Sequence, residues 1–538
     1  MDTPKRTLLQ AATALSYNRY FAGYYYEEVT TLVTTGINGV WKHARIVATN
    51  ISGHNIFCKA YLPSISISSV GNTVACGFTY TDRYADNVIP GFNNNVGYFG
   101  GIYGTYSHTI VEQIGGVWQP ATTYANQLDS SYDALLSVSC SSDSNAIACG
   151  SYITSSYEAF IGYRPLIMSK VDGSWNTLTN FSVDNFYNFN LQFDASYGAF
   201  YAVSTSSDGN GIAVGNVVIQ NINGGGGGYQ TATLGSVLSL KNGVWGPIEY
   251  FAAEGVLFGS LLSCSASSDG NGVAGGLYYY PGVYMYDPFP NVFMDSYINI
   301  YPIVINQVNG SWQYLTTISL PSDASGVFGM ITSVSACSDG NAVAGGLYLN
   351  DKNQYAPMIA EQINGVWGTA FPIVIPGTYN GTLAYPYTSY DSVTEGGMLR
   401  TFLYNVCFGS YDPSYHWQYQ FPFLFKEITS LVQVSSSSPG NALVSLCCWD
   451  NSPYIYSGRV EKIHGDWIHL QPSFTPTVYP PFRSCSLAAN GKGVVNGEDG
   501  GSGYVSITNI QNNQFVDASF SYDDSITSVV TACDAKLV

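Results

Sequence analysis

The side chains suited to acid–base, nucleophilic or metal chemistry are few and dispersed. Six histidines (His43, His54, His108, His416, His464 and His469) include no H-x-x-x-H or H-E-x-x-H pair on a helix, so the sequence predicts no metal and no cofactor. Aspartates recur at Asp143, Asp208, Asp269 and Asp339, each in a turn, where a side chain bonded to nearby backbone explains it without calcium. The glycine run at 224–228 lacks the Lys and the helix of a phosphate-cradling loop. No catalytic residue is assigned, and the chain reads as a non-enzyme.

Tyrosine is different. The chain has 44, and they crowd the segments that follow one recurring strand. The candidate ligand-binding or interface residues are Tyr24, Tyr25, Tyr26, Tyr103, Tyr106, Tyr157, Tyr279, Tyr280, Tyr284, Tyr286, Tyr415 and Tyr454. A Tyr ring gives large contact area at low entropic cost and carries a hydroxyl tip, which suits recognition of a protein or sugar surface. The competing reading is that these rings pack their own loops.

The elements that would position them repeat along the chain. In residues 332–371, "TSVSACSDGNAVAGGLYLNDKNQYAPMIAEQINGVWGTAF", an alternating run, a turn at Asp339-Gly340-Asn341, a small-residue strand, a third strand and the hairpin signal Asn364-Gly365 before Trp367 make a four-strand meander. Gly345 and Gly346 let a neighbouring backbone come close. Copies are marked by a turn Asn and a Gly five residues later: Asn18/Gly23, Asn72/Gly77, Asn145/Gly150, Asn210/Gly215, Asn271/Gly276 and Asn341/Gly346. Asn441 with Leu446, and Lys492 with Gly497, are worn copies. Trp41, Trp118, Trp175, Trp245, Trp312, Trp367 and Trp467, with Phe515, give the same tally of about eight and read as inter-blade core.

The combination S-V-S-C, G-N with A-G-G, and N-G-x-W-G resembles the tandem β-propeller repeats of large bacterial secreted and surface proteins, and distantly the hairpin of WD-repeat propellers. The resemblance spans nearly the whole chain. It implies a propeller fold and little about function, since propellers serve binding, assembly and catalysis alike. The cysteine that usually follows the turn Asn in that group is absent here. Propeller sialidases carry S-x-D-x-G-x-x-W turns and converging arginines. This chain has half such turns, at Ser142-Asp143 and Ser268-Asp269-Gly270, without the Trp, and its loop arginines Arg83, Arg164 and Arg400 are scattered.

Bulk composition narrows the partners. A net charge of −18 with only 18 Lys plus Arg argues against nucleic acid, which needs clustered cations, and against anionic membranes. No uninterrupted apolar run is long enough to span a bilayer. The N-terminal "MDTPKRTLLQAATALS" superficially resembles a secretion signal, but Gln10 interrupts it and residues 8–16 align with 135–143 of the third copy. Eleven cysteines mostly stand where other copies have Ala, Val or Ser, as small buried hydrophobes do. If Ser144-Asn145 is a two-residue turn, Cys140 and Cys149 face each other as a candidate disulfide.

These readings combine into one all-β propeller over residues 1–538, of about eight four-stranded blades, with seven or nine as alternatives. Residues 376–428 are an insertion or a degenerate partial blade. Residues 526–538, "ITSVVTACDAKLV", repeat strand one of the sixth copy and form an extra strand for ring closure or subunit exchange. Both termini then carry a first strand, one more than closure needs. The expected work is non-enzymatic self-association at an extracellular or cell surface, into a homopolymer or homo-oligomer. A carbohydrate-binding lectin is the alternative, and a propeller glycosidase, or an effector acting in a host cytosol, a second one.

Overall fold

The computed structural model describes residues 7–21, 24–37, 40–41, 45–46, 58–68, 72–81, 105–124, 130–142, 145–154, 163–178, 197–206, 209–221, 230–251, 258–267, 270–280, 299–337, 340–352, 354–373, 382–383, 429, 431–438, 440–449, 455–463, 465–470, 485–487, 493–499, 504–511, 514–521 and 525–537. Nearly all of these lie in antiparallel strands grouped as four-strand modules. One module is the plainest: Ala324–Ala336, Ala342–Asn350, Tyr355–Ile363 and Val366–Trp367, paired in that order. It is the sixth in chain order.

Ahead of it come four modules of the same plan. The second is Cys58–Ile67, Thr73–Thr81, Thr105–Ile114 and Val117–Trp118. The third is Ser130–Cys140, Ala146–Thr154, Tyr163–Val171 and Ser174–Leu178. The fourth is Tyr197–Thr205, Gly211–Asn221, Gln230–Lys241 and Val244–Phe251. The fifth is Phe258–Ala266, Gly272–Tyr280, Asn299–Val308 and Ser311–Trp312. The seventh (Val432–Ser438, Asn441–Trp449, Ile455–Ile463, Asp466–Leu470) and the eighth (Cys485–Leu487, Gly493–Asp499, Tyr504–Gln511, Gln514–Ser521) follow. Of residues 376–428, only Thr382–Leu383 is described, and it extends the seventh module beside Trp449 and Cys448.

The first module corrects the reading of the N-terminus. Thr7–Phe21 pairs on one side with Tyr24–Ile37 and on the other with the chain's last strand, Ser525–Leu537. It therefore occupies the second place in its sheet, and the C-terminal strand occupies the first. Asn18 is no turn residue: it sits within the strand, opposite Val29 and Ser525. The alternating small and apolar residues of 8–16 suit either position, and only the available hydrogen-bonding partner distinguishes them. Neither terminal strand is left over.

Neighbouring first strands touch in a closed cycle. Cys58–Ile67 meets Ser130–Cys140, then contact passes through Tyr197–Thr205, Phe258–Ala266, Ala324–Ala336, Val432–Ser438 and Cys485–Leu487 to Ser525–Leu537, which returns to Cys58–Ile67. The arrangement is propeller-like. Apolar clusters lie between the faces of successive modules: Ile147, Cys149 and Ile167 of the third pack with Phe200, Val203, Val217 and Leu238 of the fourth. Val273 and Val304 of the fifth meet Ile331, Val334 and Met358 of the sixth. Each such side chain contributes roughly 1.5–3 kcal/mol on burial, so stability is held in the seams.

The serines of the S-V-S-C pattern cross those seams. Ser64 and Ser66 accept hydrogen bonds from the backbone N–H of Val138 and Cys140, and Ser137 and Ser139 accept from Val203 and Thr205. The same holds for Ser263 and Ser265 with Val334 and Ala336, and for Ser333 and Ser335 with Val434 and Ser436. The tryptophans also reach backwards by one module: Nε1 of Trp245, Trp312, Trp367 and Trp467 donates to Ser169, Ser239, Asn306 and Glu361 respectively.

Glycine has one strict role. Gly150, Gly215, Gly276 and Gly346 each lie opposite a bulge in the first strand, where a Cβ would run into the carbonyl oxygen of Ala134, Ala199, Ser260 and Met330. Asn364 and Gly365 both have positive φ, 53° and 80°, as do Asp172/Gly173, Asn242/Gly243 and Asn309/Gly310, which is the two-residue hairpin turn the sequence predicts.

Candidate functional site at the loop end of the ring

In an antiparallel meander the first-to-second and third-to-fourth turns lie at one end of a module, and the second-to-third connection lies at the other. At the turn end the landmark Asn ties both turns together. Its carbonyl closes the first turn (Asn341 O from Cys337 N, 2.7 Å) and its side-chain oxygen accepts from the second (Asn364 N, 2.7 Å). Asn210 and Asn271 do the same with the N–H groups of Asn242 and Asn309. This end is short and tightly bonded, so the long connections all open at the other.

Several predicted tyrosines lie at that loop end, in strands rather than in loops. Tyr24, Tyr25 and Tyr26 open the strand Tyr24–Ile37, Tyr106 is near the start of Thr105–Ile114, and Tyr279 and Tyr280 end Gly272–Tyr280. Tyr279 is a correction: it is 4% exposed and belongs to an apolar core cluster, because its strand position turns it into the seam. Tyr103, Tyr157, Tyr284, Tyr286, Tyr415 and Tyr454 lie outside the described residues. Next to Tyr279, Tyr278 stacks on Tyr301 at 4.7 Å with its hydroxyl 3.5 Å from Thr317 Oγ1.

The candidate disulfide is also corrected. Cys140 stands opposite Ala146 and Cys149 opposite Ser137, and the two buried cysteines form no disulfide. The chain reverses over residues 141–145, closed by Ser141 N donating to Asn145 O at 3.1 Å, and this longer turn shifts the register the pair would need. Among the described residues no group of three or more His, Cys, Asp and Glu is placed to hold a metal ion. No helix there is long and apolar enough to cross a membrane.

A polar cluster that the sequence did not reveal lies between modules two and three at the loop end. His108 Nδ1 is 3.4 Å from Asp133 Oδ2, with side-chain exposures of 4% and 0%. The imidazole stacks on Tyr124, centroids 5.7 Å apart. Asp133 is paired across its hairpin with Tyr152, and Tyr152 in turn with Arg164. Burial pushes the Tyr152 hydroxyl up, Arg164 works against that, and Asp133 adds to it. Tyr124 is pushed up to about 12, chiefly by burial and then by Glu112. The four polar residues come from four strands separated by up to 56 positions in sequence, so no local spacing signals them.

The cluster offers a half-buried guanidinium hydrogen-bonded to the Tyr152 phenol, with a buried carboxylate and imidazole paired to each other in the neighbouring strands and an aromatic face on that imidazole. Such a set can pair an acidic group or hydrogen-bond hydroxyls while stacking on a ring. One level down, Lys170 bridges to Glu112 at 2.6 Å across the same seam, a pair that Lys462 and Glu361 repeat at 2.7 Å between modules seven and six. Arg164 is thus the one loop arginine of the sequence reading that the structure places in a defined polar setting; Arg83 and Arg400 lie outside the described residues.

No family model and no curated protein matches the chain. Among solved structures it is similar to a protein of unknown function from Dyadobacter fermentans, at 13% identity and TM-score 0.35, over 78% of this chain and 97% of that one. It is also similar to a polysaccharide lyase of family PL25, an ulvan lyase, at 9% identity and TM-score 0.37, over 85% and 91%. A third similar structure is the NanB sialidase of Streptococcus pneumoniae, at 9% identity and TM-score 0.32, over 95% and 87%. Likeness at this level carries no functional weight, and the reading of this chain rests on its own residues.

Proposed function

We propose that the protein is an eight-bladed β-propeller that works by binding, its loop end recognising an acidic or hydroxyl-rich glycan around Arg164. The observation that carries this is the convergence of His108, Asp133, Tyr152 and Arg164 with Tyr124 at one seam, in a chain whose charged residues amount to only 10%. The cyclic frame supplies rigidity, which holds the cluster's side chains in fixed relation. An extracellular or cell-surface setting suits such a ligand.

A glycan array that includes uronate-bearing and sialylated sugars tests it. Saturable binding by the wild type, lost in Arg164→Ala and weakened in Tyr152→Phe, is the expected result. Absence of glycan binding, or binding indifferent to Arg164→Ala, refutes the assignment. Turnover of a bound glycan would replace binding with catalysis at this cluster.

A second reading is a structural subunit that self-associates by exchange of its terminal strands. It is favoured by one observation: the last strand pairs with the first over twelve registered positions, although the two belong to opposite chain ends. Such an element passes between copies without new contacts. Polymers seen by electron microscopy that disappear on deleting residues 1–16 or 526–538 support it; assembly that survives both deletions removes it.

A further inference from the structure

The repeat supplies its own control for the polar cluster, because strand register fixes which residues are equivalent. On the third strand, opposite the residue that follows the landmark Gly, stand His108 in module two, Pro165 in module three, Gly235 in module four and Pro302 in module five. On the first strand of the module that follows each of these, the matching position holds Asp133, Gly198, Gly259 and Gly329. The two positions meet across the seam: a Cβ on Gly329 would lie 3.1 Å from Pro302 Cδ, and one on Gly259 would lie 3.8 Å from Gly235 N. Among these four seams, three join Pro to Gly or Gly to Gly, and only the one between modules two and three joins an imidazole to a carboxylate, at 3.4 Å. Arg164 departs from the repeat as well, since its equivalents are Leu234, Tyr301 and Ala356. Tyr152 does not. Tyr278 and Tyr348 share its place, one stacked on Tyr301 and the other donating to Asp323. Small residues close a seam without desolvating any charge, so the fold itself does not need a buried His–Asp pair there.

Resting on the glycan-binding reading above, we propose that His108 and Asp133 are positioning residues that make this seam the ring's one binding seam, so that each chain takes a single sugar carrying its carboxylate directly on the ring. Both side chains are buried and lie beneath the ligand rather than against it. His108 carries the ring of Tyr124 on its face. Asp133 meets that imidazole from the other module and stands opposite Tyr152, whose hydroxyl is hydrogen-bonded to Arg164. The pair thereby ties the aromatic side of the site, on module two, to the guanidinium side, on module three. A ring-borne acid group needs stacking and a guanidinium contact at one fixed offset, and a tie between the two walls supplies that offset. Where the seam holds Pro and Gly instead, neither the tie nor the guanidinium is present, and a tyrosine at the place of Tyr152 makes no site by itself.

Isothermal titration calorimetry of the full chain with glucuronate-bearing and sialylated oligosaccharides tests this. The expected stoichiometry is one ligand per 58.0 kDa chain. The double variant His108→Pro/Asp133→Gly installs the residues that the following seams use. It should keep the wild-type melting transition yet lose affinity by about tenfold or more, as removal of a supporting partner does at a metal site. Asp133→Asn keeps an acceptor oxygen beside His108 and should bind more tightly than the double variant. Should the double variant not fold, Asp133→Gly alone is read in its place, with the same loss expected. A stoichiometry above one overturns the inference. So does wild-type affinity in the reverted chain while Arg164→Ala abolishes binding, an outcome that leaves the glycan reading standing. Absence of sugar binding, or binding indifferent to Arg164→Ala, removes both.

Discussion

Ser335 Oγ accepts a hydrogen bond from the backbone N–H of Ser436 at 2.9 Å, while Ser436 Oγ donates to the carbonyl of Ser335 at 3.2 Å. The two residues are 101 positions apart and belong to the first strands of modules six and seven. A serine in a seam has this capacity and an alanine does not, which is why the repeat keeps Ser where burial alone would admit any small residue.

Replacing Ser335 by Ala leaves the Ser436 N–H in the seam without its partner, at a cost of about 1–3 kcal/mol. Chemical denaturation of Ser335→Ala should show this loss. The double variant Ser66→Ala/Ser335→Ala, acting on seams that share no residue, should show nearly additive effects.

Gly346→Ala should be more damaging than its size suggests, because the added methyl meets the Met330 carbonyl at the bulge. Overpacking against backbone costs about 1–3 kcal/mol or more. Gly368→Ala, where the nearest atom is 3.7 Å away, is the control and should melt within a degree or two of wild type.

Glu361 serves two partners through one oxygen: Lys462 Nζ at 2.7 Å and Trp467 Nε1 at 2.8 Å. Glu361→Gln removes the charge beside a lysine that is 8% exposed. Breaking one side of a buried pair costs about 3–5 kcal/mol. Glu361→Gln/Lys462→Met should recover most of the lost melting temperature.

Stability should fall at alkaline pH. Burial pushes the Cys485 thiol from 9.0 up to about 12, with its Ser445 hydrogen bonds opposing, and pushes Tyr124 from 10.0 to about 12. Cys149 and Cys264 are raised in the same direction, each chiefly by burial. The unfolded chain loses these protons first, so the stability is whole below about pH 9 and declines as pH rises towards 12. A melting series over that range checks the sign, and iodoacetamide at pH 8.5 should leave these thiols unlabelled until the chain unfolds.

Removing residues 525–538 deletes the first strand of module one and opens the cycle. A large drop in melting temperature is expected, and a synthetic peptide of that segment should restore it in trans. No recovery with the peptide would mean that the strand's covalent tether is needed.

Much of this architecture was legible from local signals. Asn364-Gly365 announces its hairpin because two consecutive residues must adopt positive φ, and Gly346 announces close backbone approach because nothing larger fits. The strand order inside modules two to eight follows from such turns alone. The Cys140–Cys149 register failed for the same local reason: a five-residue reversal and a two-residue one read alike in "SSDSN", yet differ by a shift that moves every facing pair.

The sequence by itself determined the repeat, the short turns, the half-buried Trp landmarks and the composition that disfavours nucleic acid, since each depends on residues a few positions apart. Tertiary structure alone decided which terminus supplies the first strand, that serines bond across seams, and that His108, Asp133, Tyr152 and Arg164 meet. Those relations join strands from separate hairpins, and their energies depend on desolvation and distance between segments that carry no mark of each other in the chain.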